Sequence, residues 1–369
     1  MPCPSRAAAL DALRFCFEAE AGRRFWSGLA GPPAFACVIA STDTAEIPGI
    51  SAAGETPEKR RFTAALDSEF LVFGRPLTLP EIPRNPLGPP SPVVITKAAL
   101  DGLGVVPLIV DAGTRVPPLT PRLDLGGVPG RCITTGNAVD LPPGFRERCR
   151  EAGRYLASRA AWAVIAESVP GGTTTAQAVL EALGVPAGGR VSSSMPGGNH
   201  GLKAQVVDQA LAAASLPDRP SGEEVVRAVG DPMQAAVAWM ALEASRSGPV
   251  VLAGGTQMAA VAGLALRLWQ GGEPGEPGRM CIATTRWVAE DPAADLTGIL
   301  SHLPRRIPAV ACGLDFTDSQ DPGLRRYEEG LVKEGVGAGG AACAALAAGR
   351  TPRDLVHAIE EVVRALPPA

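Results

Sequence analysis

The chain has 369 residues, 46% of them hydrophobic but only 4% aromatic, and 43 glycines. It is long enough for one large α/β domain with an appendage or for two ordinary domains, and an interior of Ala, Val and Leu against Gly suits close helix-on-sheet contacts. A net charge of -4, with both signs dispersed and no Lys/Arg cluster interleaved with aromatics, argues against a nucleic-acid partner.

Eight scattered cysteines without a C-x-x-C pair suggest neither a zinc site nor a disulfide framework. Residues 1–20 carry Arg6, Asp11 and Arg14 with no continuous apolar core, so no secretory signal is expected and the chain is placed in the cytoplasm. The longest apolar run, 249–266, is broken by Gly254-Gly255-Thr256-Gln257 and reads as strand, turn and helix rather than a membrane span.

In chain order, the spacing of Leu10, Leu13, Phe17 and Phe25 predicts a helix over 7–29, before a buried strand at 35–40. Residues 74–92 are dense in proline and predict an extended surface excursion that covers something. A strand at 93–96, a helix to 103 and a strand at 106–110, ending in a polar tip at 111–114, read as a βαβ unit. After a second Pro/Gly-rich stretch, 116–130, an amphipathic helix at 143–159 leads to an apolar strand at 161–166. The unit repeats with strands at 188–191, 249–252 and 280–285, and with helices after Gly201 and at 258–269. Helices at 324–333, 338–348 and 352–366 end the chain. The expected fold is a Rossmann-like three-layer α/β domain with a mainly parallel sheet, over 35–315. A small helical domain is expected from 1–34 with 316–369.

Parallel sheets bind ligands beyond the carboxyl ends of their strands, and the polar and glycine-rich loops fall there. Glu167 follows the 161–166 strand, where it either serves a site or caps the next helix. Gly171 and Gly172 permit close backbone approach, and Thr173, Thr174 and Thr175 set hydroxyls at a helix start. Without the Gly-Lys-Ser/Thr ending of a Walker loop, a nucleoside triphosphate with magnesium is poorly supported. Ser192, Ser193 and Ser194, ahead of Pro196-Gly197-Gly198-Asn199, form either a second anion-binding loop or a plain solvated one. Lys203, one turn into the following helix, can reach back over that loop, whereas His200 is equally a turn residue or a ligand contact.

The G-x-G-x-x-G string at 335–340 lacks the flanking strands of a dinucleotide site. Its glycines either let another molecule press on the backbone, with Glu334 pointing into the site, or form a hinge. Gly255, Thr285 and Gly337 belong to the same set of strand-end and loop positions and join the substrate-binding candidates. Adjacent acids that grip pyrophosphate through magnesium, a G-x-S-x-G elbow and an H-E-x-x-H pair are all missing, so no metal or cofactor is expected.

Five motifs occur in order: A-E-S-V-P-G-G-T-T-T-A at 166–176, S-S-S-M-P-G-G-N-H-G-L-K at 192–203, G-D-P-M at 230–233, L-A-G-G-T-Q-M-A-A-V at 252–261 and K-E-G-V-G-A-G-G-A at 333–341. Together they resemble the nicotinate-nucleotide:dimethylbenzimidazole phosphoribosyltransferase family over about 35–348. The P-G-I-S-A-A-G-E-T-P-E run at 48–58 is similar to its archaeal and cyanobacterial branch. The resemblance implies a homodimer with each site completed by its neighbour. Its reaction moves phosphoribose from nicotinate mononucleotide to a base, giving the lower-ligand nucleotide of cobamides. It also implies that Glu334 is the general base, Glu167 the acid near ribose and acceptor, 171–174 the phosphate-side loop and Lys203 the lysine near the phosphate. Val169-Pro-Gly-Gly-Thr-Thr departs from the Gly-Ile-Gly-Asn-Thr-Thr of the better-known branch, and the acceptor-pocket segment has a loose counterpart at 51–62. The acceptor therefore stays open among dimethylbenzimidazole, adenine and other azoles. A non-catalytic nucleotide-binding protein and a nucleoside or nucleotide phosphorylase are the competing readings.

Overall fold

A computed structural model describes residues 9–366 apart from 55, 84, 86, 194, 196 and 197. The first part contains β1 (Leu13–Phe17), α1 (Ala19–Gly28), β2 (Ala34–Ala40), α2 (Pro57–Phe73), α3 (Val93–Leu103), β3 (Leu108–Gly113) and the short β4 (Leu123–Asp124). The middle runs α4 (Phe145–Ala157), β5 (Ala163–Ser168), α5 (Gly172–Ala182), α6 (His200–Ala214), α7 (Gly222–Val229), α8 (Pro232–Ser245), β6 (Val250–Ala253) and α9 (Thr256–Gln270). Then follow β7 (Met280–Thr285), α10 (Arg286–Ala289), α11 (Leu296–Ser301), β8 (Ala309–Cys312), α12 (Pro322–Arg325), α13 (Ala338–Ala347) and α14 (Pro352–Arg364).

The strands form one eight-stranded sheet in the order β1-β8-β7-β6-β5-β2-β3-β4, parallel except where β1 pairs antiparallel with β8. Period-two alternation sends Ala36, Val38 and Ala40 of β2 into one hydrophobic core, with α4 to α9, and Phe35, Cys37 and Ile39 into the other. The second core holds Trp26, Phe70, Val94, Ala341 and Ile359, so α1, α2, α3, α13 and α14 cover that face. From β2 the chain winds outward to β3 and β4, whereas β5 starts on the other side of β2 and leads to β6, β7 and β8. This reversal puts the topological switch point between β2 and β5, where an open α/β sheet leaves a crevice.

Several local expectations are corrected. Residues 13–17 are strand rather than helix, because Leu13, Phe15 and Phe17 also fit a period of two and the edge of β8 offers hydrogen bonds. The β-branched run at 93–96 is the first turn of α3: Pro92 has φ -57, and Val93, Val94 and Ile95 are completely buried in a helix packed on α2, α13 and α14, so packing overrides strand propensity. Residues 188–191 form no strand, since Gly189 at φ 69 turns the chain and β5 pairs directly with β6. The helix expected at 324–333 shrinks to α12, after which successive three-residue turns run to Gly330 at φ 71. The unforeseen α8 is buried along its whole length, so it has no polar stripe to reveal it.

Candidate active site

Loops at the carboxyl ends of the central strands line one cleft. Residues 51–54 come from the chain after β2, 167–173 from the end of β5 into α5, 255–257 from the start of α9, and 332–336 from the loop before α13. Asp67 of α2 closes another wall, together with Pro83, Asn85, Ser91 and Pro92 of the proline-dense excursion. That excursion covers the cleft.

Glu334 reaches this place because its loop lies directly on the strand ends. The Val336 N–H donates to the Glu167 carbonyl at 2.9 Å, and the Thr96 hydroxyl donates to the Val336 carbonyl at 2.9 Å. Val336 is held in the left-handed region at φ 54, a conformation that costs a β-branched residue on the order of 1–3 kcal/mol and marks an over-determined loop. A Cβ on Gly339 would stand 2.0 Å from the Thr284 carbonyl carbon, and one on Gly337 would stand 2.4 Å from the Ala166 Cβ. What presses on these glycines is the chain's own sheet, and the result is to aim Glu334.

The Glu334 carboxylate accepts from four groups: Thr284 Oγ1 at 3.1 Å, Thr285 N–H at 2.9 Å, Gly335 N–H at 3.2 Å and Gly339 N–H at 3.1 Å. Burial lifts its pKa to about 7 against the opposing pull of these donors. Glu167 is 3% exposed and accepts from the Val169 N–H at 3.0 Å and Gln257 Nε2 at 3.1 Å. Burial first, then the charges of Asp231 and Glu334, push Glu167 to about 8. Two further buried acids stand behind it, each raised to about 6 by burial. Asp67 accepts from Ser91 Oγ at 2.8 Å and Ser168 Oγ at 2.9 Å, and Asp231 caps α8 while accepting from Thr175 Oγ1 at 2.5 Å. Among the described residues no three of these acids converge as metal ligands. Carboxyls with pKa values near neutrality are suited to exchanging protons and to receiving a cation.

A second polar group lies beside the first. Lys333 Nζ donates to Asp291 Oδ2 at 2.6 Å, and the same oxygen accepts from Ser192 Oγ at 3.1 Å. Lys203 is completely buried and donates to the Ser192 carbonyl at 2.7 Å. Burial, followed by the nearby charge of Lys333, lowers Lys203 to about 7.

No family model matches the chain. A UPF0284 protein of Gloeobacter violaceus is 47% identical over 368 residues, covering 97% of this chain and 96% of that protein. One from Pyrobaculum calidifontis is 44% identical over 335 residues, covering 90% and 96%. The chain belongs to the UPF0284 family. Two solved Thermus thermophilus structures resemble this UPF0284 protein at the level of fold. A nicotinate-nucleotide-dimethylbenzimidazole phosphoribosyltransferase has a TM-score of 0.55 at 23% identity, covering 89% of this chain and 83% of that one. A structure described as CobT has a TM-score of 0.57 at 21% identity, covering 97% and 92%. The UPF0284 chain therefore has the fold of the family its motifs resemble. No helix among its described residues is long and apolar enough to cross a membrane.

Of the site candidates in this UPF0284 chain, Glu167, Gly171, Gly172, Thr173, Ser193, Gly255 and Glu334 line the cleft. Thr285 stands behind it as a donor to Glu334, and Gly337 packs on β5. Thr174 is buried beneath the loop with its hydroxyl unpartnered. Lys203 and His200 lie outside the cleft lining, and Ser194 lies outside the described residues. Sequence reasoning missed Asp67, Gln257, Asp291 and Lys333. Asp67 carried a usable signal, an acid inside the apolar run Ala64-Ala-Leu-Asp67, and Lys333 adjoins Glu334.

Proposed function

We propose that this UPF0284 protein is a pentosyltransferase moving 5-phosphoribose from nicotinate mononucleotide to a base such as 5,6-dimethylbenzimidazole, in cobalamin biosynthesis. The observation that carries the reading is the union of Glu334, from the far end of the chain, with Glu167 and the 171–173 loop in one cleft. The shared fold and the ordered motifs support it, and the same resemblance extends it to a homodimer, which the composition of residues 1–20 places in the cytoplasm.

The donor's pyridinium is already cationic, so its departure yields neutral nicotinate without acid catalysis. An azole nitrogen attacks C1′ from the opposite face, and inversion gives the α-linked nucleotide. The bond from C1′ to the nicotinate nitrogen breaks as the new bond forms, and the acceptor's N–H proton passes to Glu334. With a pKa of about 7, Glu334 is matched to that transfer near neutral pH. Glu167 and the acids behind it favour the positive charge that develops on the ribose as the ring leaves. The 171–174 loop, Gly255 and Ser193 hold the phosphoribosyl group, Thr285 orients Glu334, and Gly337 seats the loop that carries it.

The test is to incubate the protein with nicotinate mononucleotide and a panel of bases, then follow free nicotinate and the new nucleotide by chromatography. The reading expects nicotinate only when a base is present. Release that instead requires inorganic phosphate would make the protein a phosphorylase, and binding without turnover would make it a non-catalytic nucleotide binder.

A further inference from the structure

The ionisable residues that line the cleft, among those described, are Asp67, Glu167, Glu334 and Lys333. Three are acids and one is a cation. Lys333 is therefore the group among them that attracts the phosphate of an entering ligand. The side chain of Lys333 is only 11% exposed and that of Asp291 2%, so the ammonium is held rather than sweeping through solvent. Its backbone is tied as well, because the Thr285 hydroxyl donates to the Lys333 carbonyl. An ammonium has three N–H donors, and Asp291 is the hydrogen-bond partner of this one among the described residues. The others remain for a ligand.

Ser192 and Ser193 line the cleft next to this ammonium. Ser192 is pinned from both sides, its hydroxyl on Asp291 and its carbonyl on Lys203, while its N–H donates to Thr256 Oγ1 at 3.2 Å. A buried ion pair contributes little to stability once desolvation is counted, so stability alone gives a weak account of Lys333 with Asp291. Recognition of an anion gives a stronger one.

We propose that Lys333 binds the phosphate of the nucleotide substrate, and that Asp291, Ser192 and Lys203 are positioning residues that hold this ammonium from behind. The identity of the nucleotide rests on the phosphoribosyl-transfer reading, but the phosphate contact is testable without turnover. Lys203, completely buried with its Nζ on the Ser192 carbonyl, holds the serine whose hydroxyl donates to the Asp291 carboxylate that fixes Lys333.

The experiment is calorimetric titration of nicotinate mononucleotide and of its dephosphorylated riboside into the wild-type protein and into Lys333→Gln, Lys333→Arg and Asp291→Asn. Wild type should prefer the nucleotide. Lys333→Gln should lower nucleotide affinity about 10- to 100-fold, as expected for loss of a charge-assisted hydrogen bond, and leave riboside affinity within about twofold. Lys333→Arg should restore part of the preference, and Asp291→Asn should reduce it less than Lys333→Gln does. A wild type without preference for the nucleotide overturns the proposal, as does a Lys333→Gln protein that keeps the full preference or loses both ligands equally. If Lys333→Gln does not fold, the double variant Lys333→Gln with Asp291→Asn, which leaves no unpaired buried charge, decides: an unaltered preference for the nucleotide would remove the direct contact. The transferase assay on wild type separates the two ideas, since a phosphate preference that depends on Lys333 in a protein without transfer activity would leave this inference standing and sink the proposed function.

Discussion

Glu167 at the end of β5 and Glu334 before α13 share a cleft and are held in opposite ways. Glu334 receives four hydrogen bonds, three of them from backbone N–H groups, in a loop fixed by the strand ends. Glu167 receives two and has Asp231, Glu334 and Asp67 as charged neighbours. Burial drives both upward, but the donors restrain Glu334 at about 7 while the neighbouring acids carry Glu167 to about 8. At neutral pH Glu334 can therefore lose its proton readily, whereas an empty cleft keeps Glu167 mostly protonated. The difference divides the work between a proton acceptor and a group that ionises when a cation arrives.

The sharpest break in this comparison is kinetic. Glu334→Gln should lower kcat by about 10²–10⁴-fold, the usual worth of a general base, whereas Glu167→Gln, which resembles the protonated acid already present, should cost much less. In wild type kcat/KM should rise with pH through about 7 and then level off, and Glu334→Gln should lack that limb. Equal losses in the two variants would abolish the proposed division.

The next effect separates the two glycine loops. A Cβ on Gly339 meets backbone at 2.0 Å, while one on Gly172 meets the end of the Gln257 side chain at 1.9 Å. Gly339→Ala should destabilise the fold by about 3 kcal/mol or more because the strand cannot yield. Gly172→Ala should alter stability by less than about 1 kcal/mol, since Gln257 can rotate away, yet it should impair turnover by disturbing the partner of Glu167. Thermal unfolding beside kinetics checks both, and comparable melting temperatures for the two variants would contradict the packing argument.

Much of this was legible beforehand because strand-end loops advertise themselves. Ala163–Ser168 and Met280–Thr285 are continuous apolar runs ending in polar residues, and Glu167, Gly171 and Glu334 carry recognisable motifs. The reading failed where tertiary packing outranks local pattern, as at Val93, Val94 and Ile95, whose β-branched side chains are buried in a helix packed on α2, α13 and α14. It failed at β1 because five residues satisfy helical and strand periods alike. The partnership of Lys333 with Asp291 spans 42 residues and joins two loops, so no local period could reveal it, and the burial of Lys203 depends on the same fold.

A smaller effect concerns stability. Glu167 is raised from 4.5 to about 8 in the folded protein. Between those values the native state holds a proton that the unfolded chain has released, so this group's stabilising contribution, complete below pH 4.5, is lost as pH rises to about 8. Glu167→Gln removes that slope. Its melting temperature should match wild type near pH 5 and exceed it by several degrees at pH 8, about 1–2 °C for each kcal/mol in a chain of this length. A constant difference at both pH values would mean that Glu167 does not titrate as its surroundings require.

Proton release on binding is the smallest and most selective signal. The proposed donor brings a pyridinium cation to a cleft walled by raised acids, and a positive charge within a few ångström lowers a carboxyl's pKa. Glu167, largely protonated at pH 7 in the free protein, must then give up its proton, and linkage requires donor affinity to increase with pH over that range. Titrating nicotinate mononucleotide at pH 7 in buffers of different ionisation enthalpy should show release of roughly 0.5–1 proton per donor bound. Glu167→Gln should abolish most of the release, whereas Glu334→Gln should retain most of it, because Glu334 waits for the acceptor's proton. If Glu334→Gln instead removed the signal, the carboxylate held by four donors would be the one sensing the cation, and the roles assigned to the two glutamates would have to be exchanged.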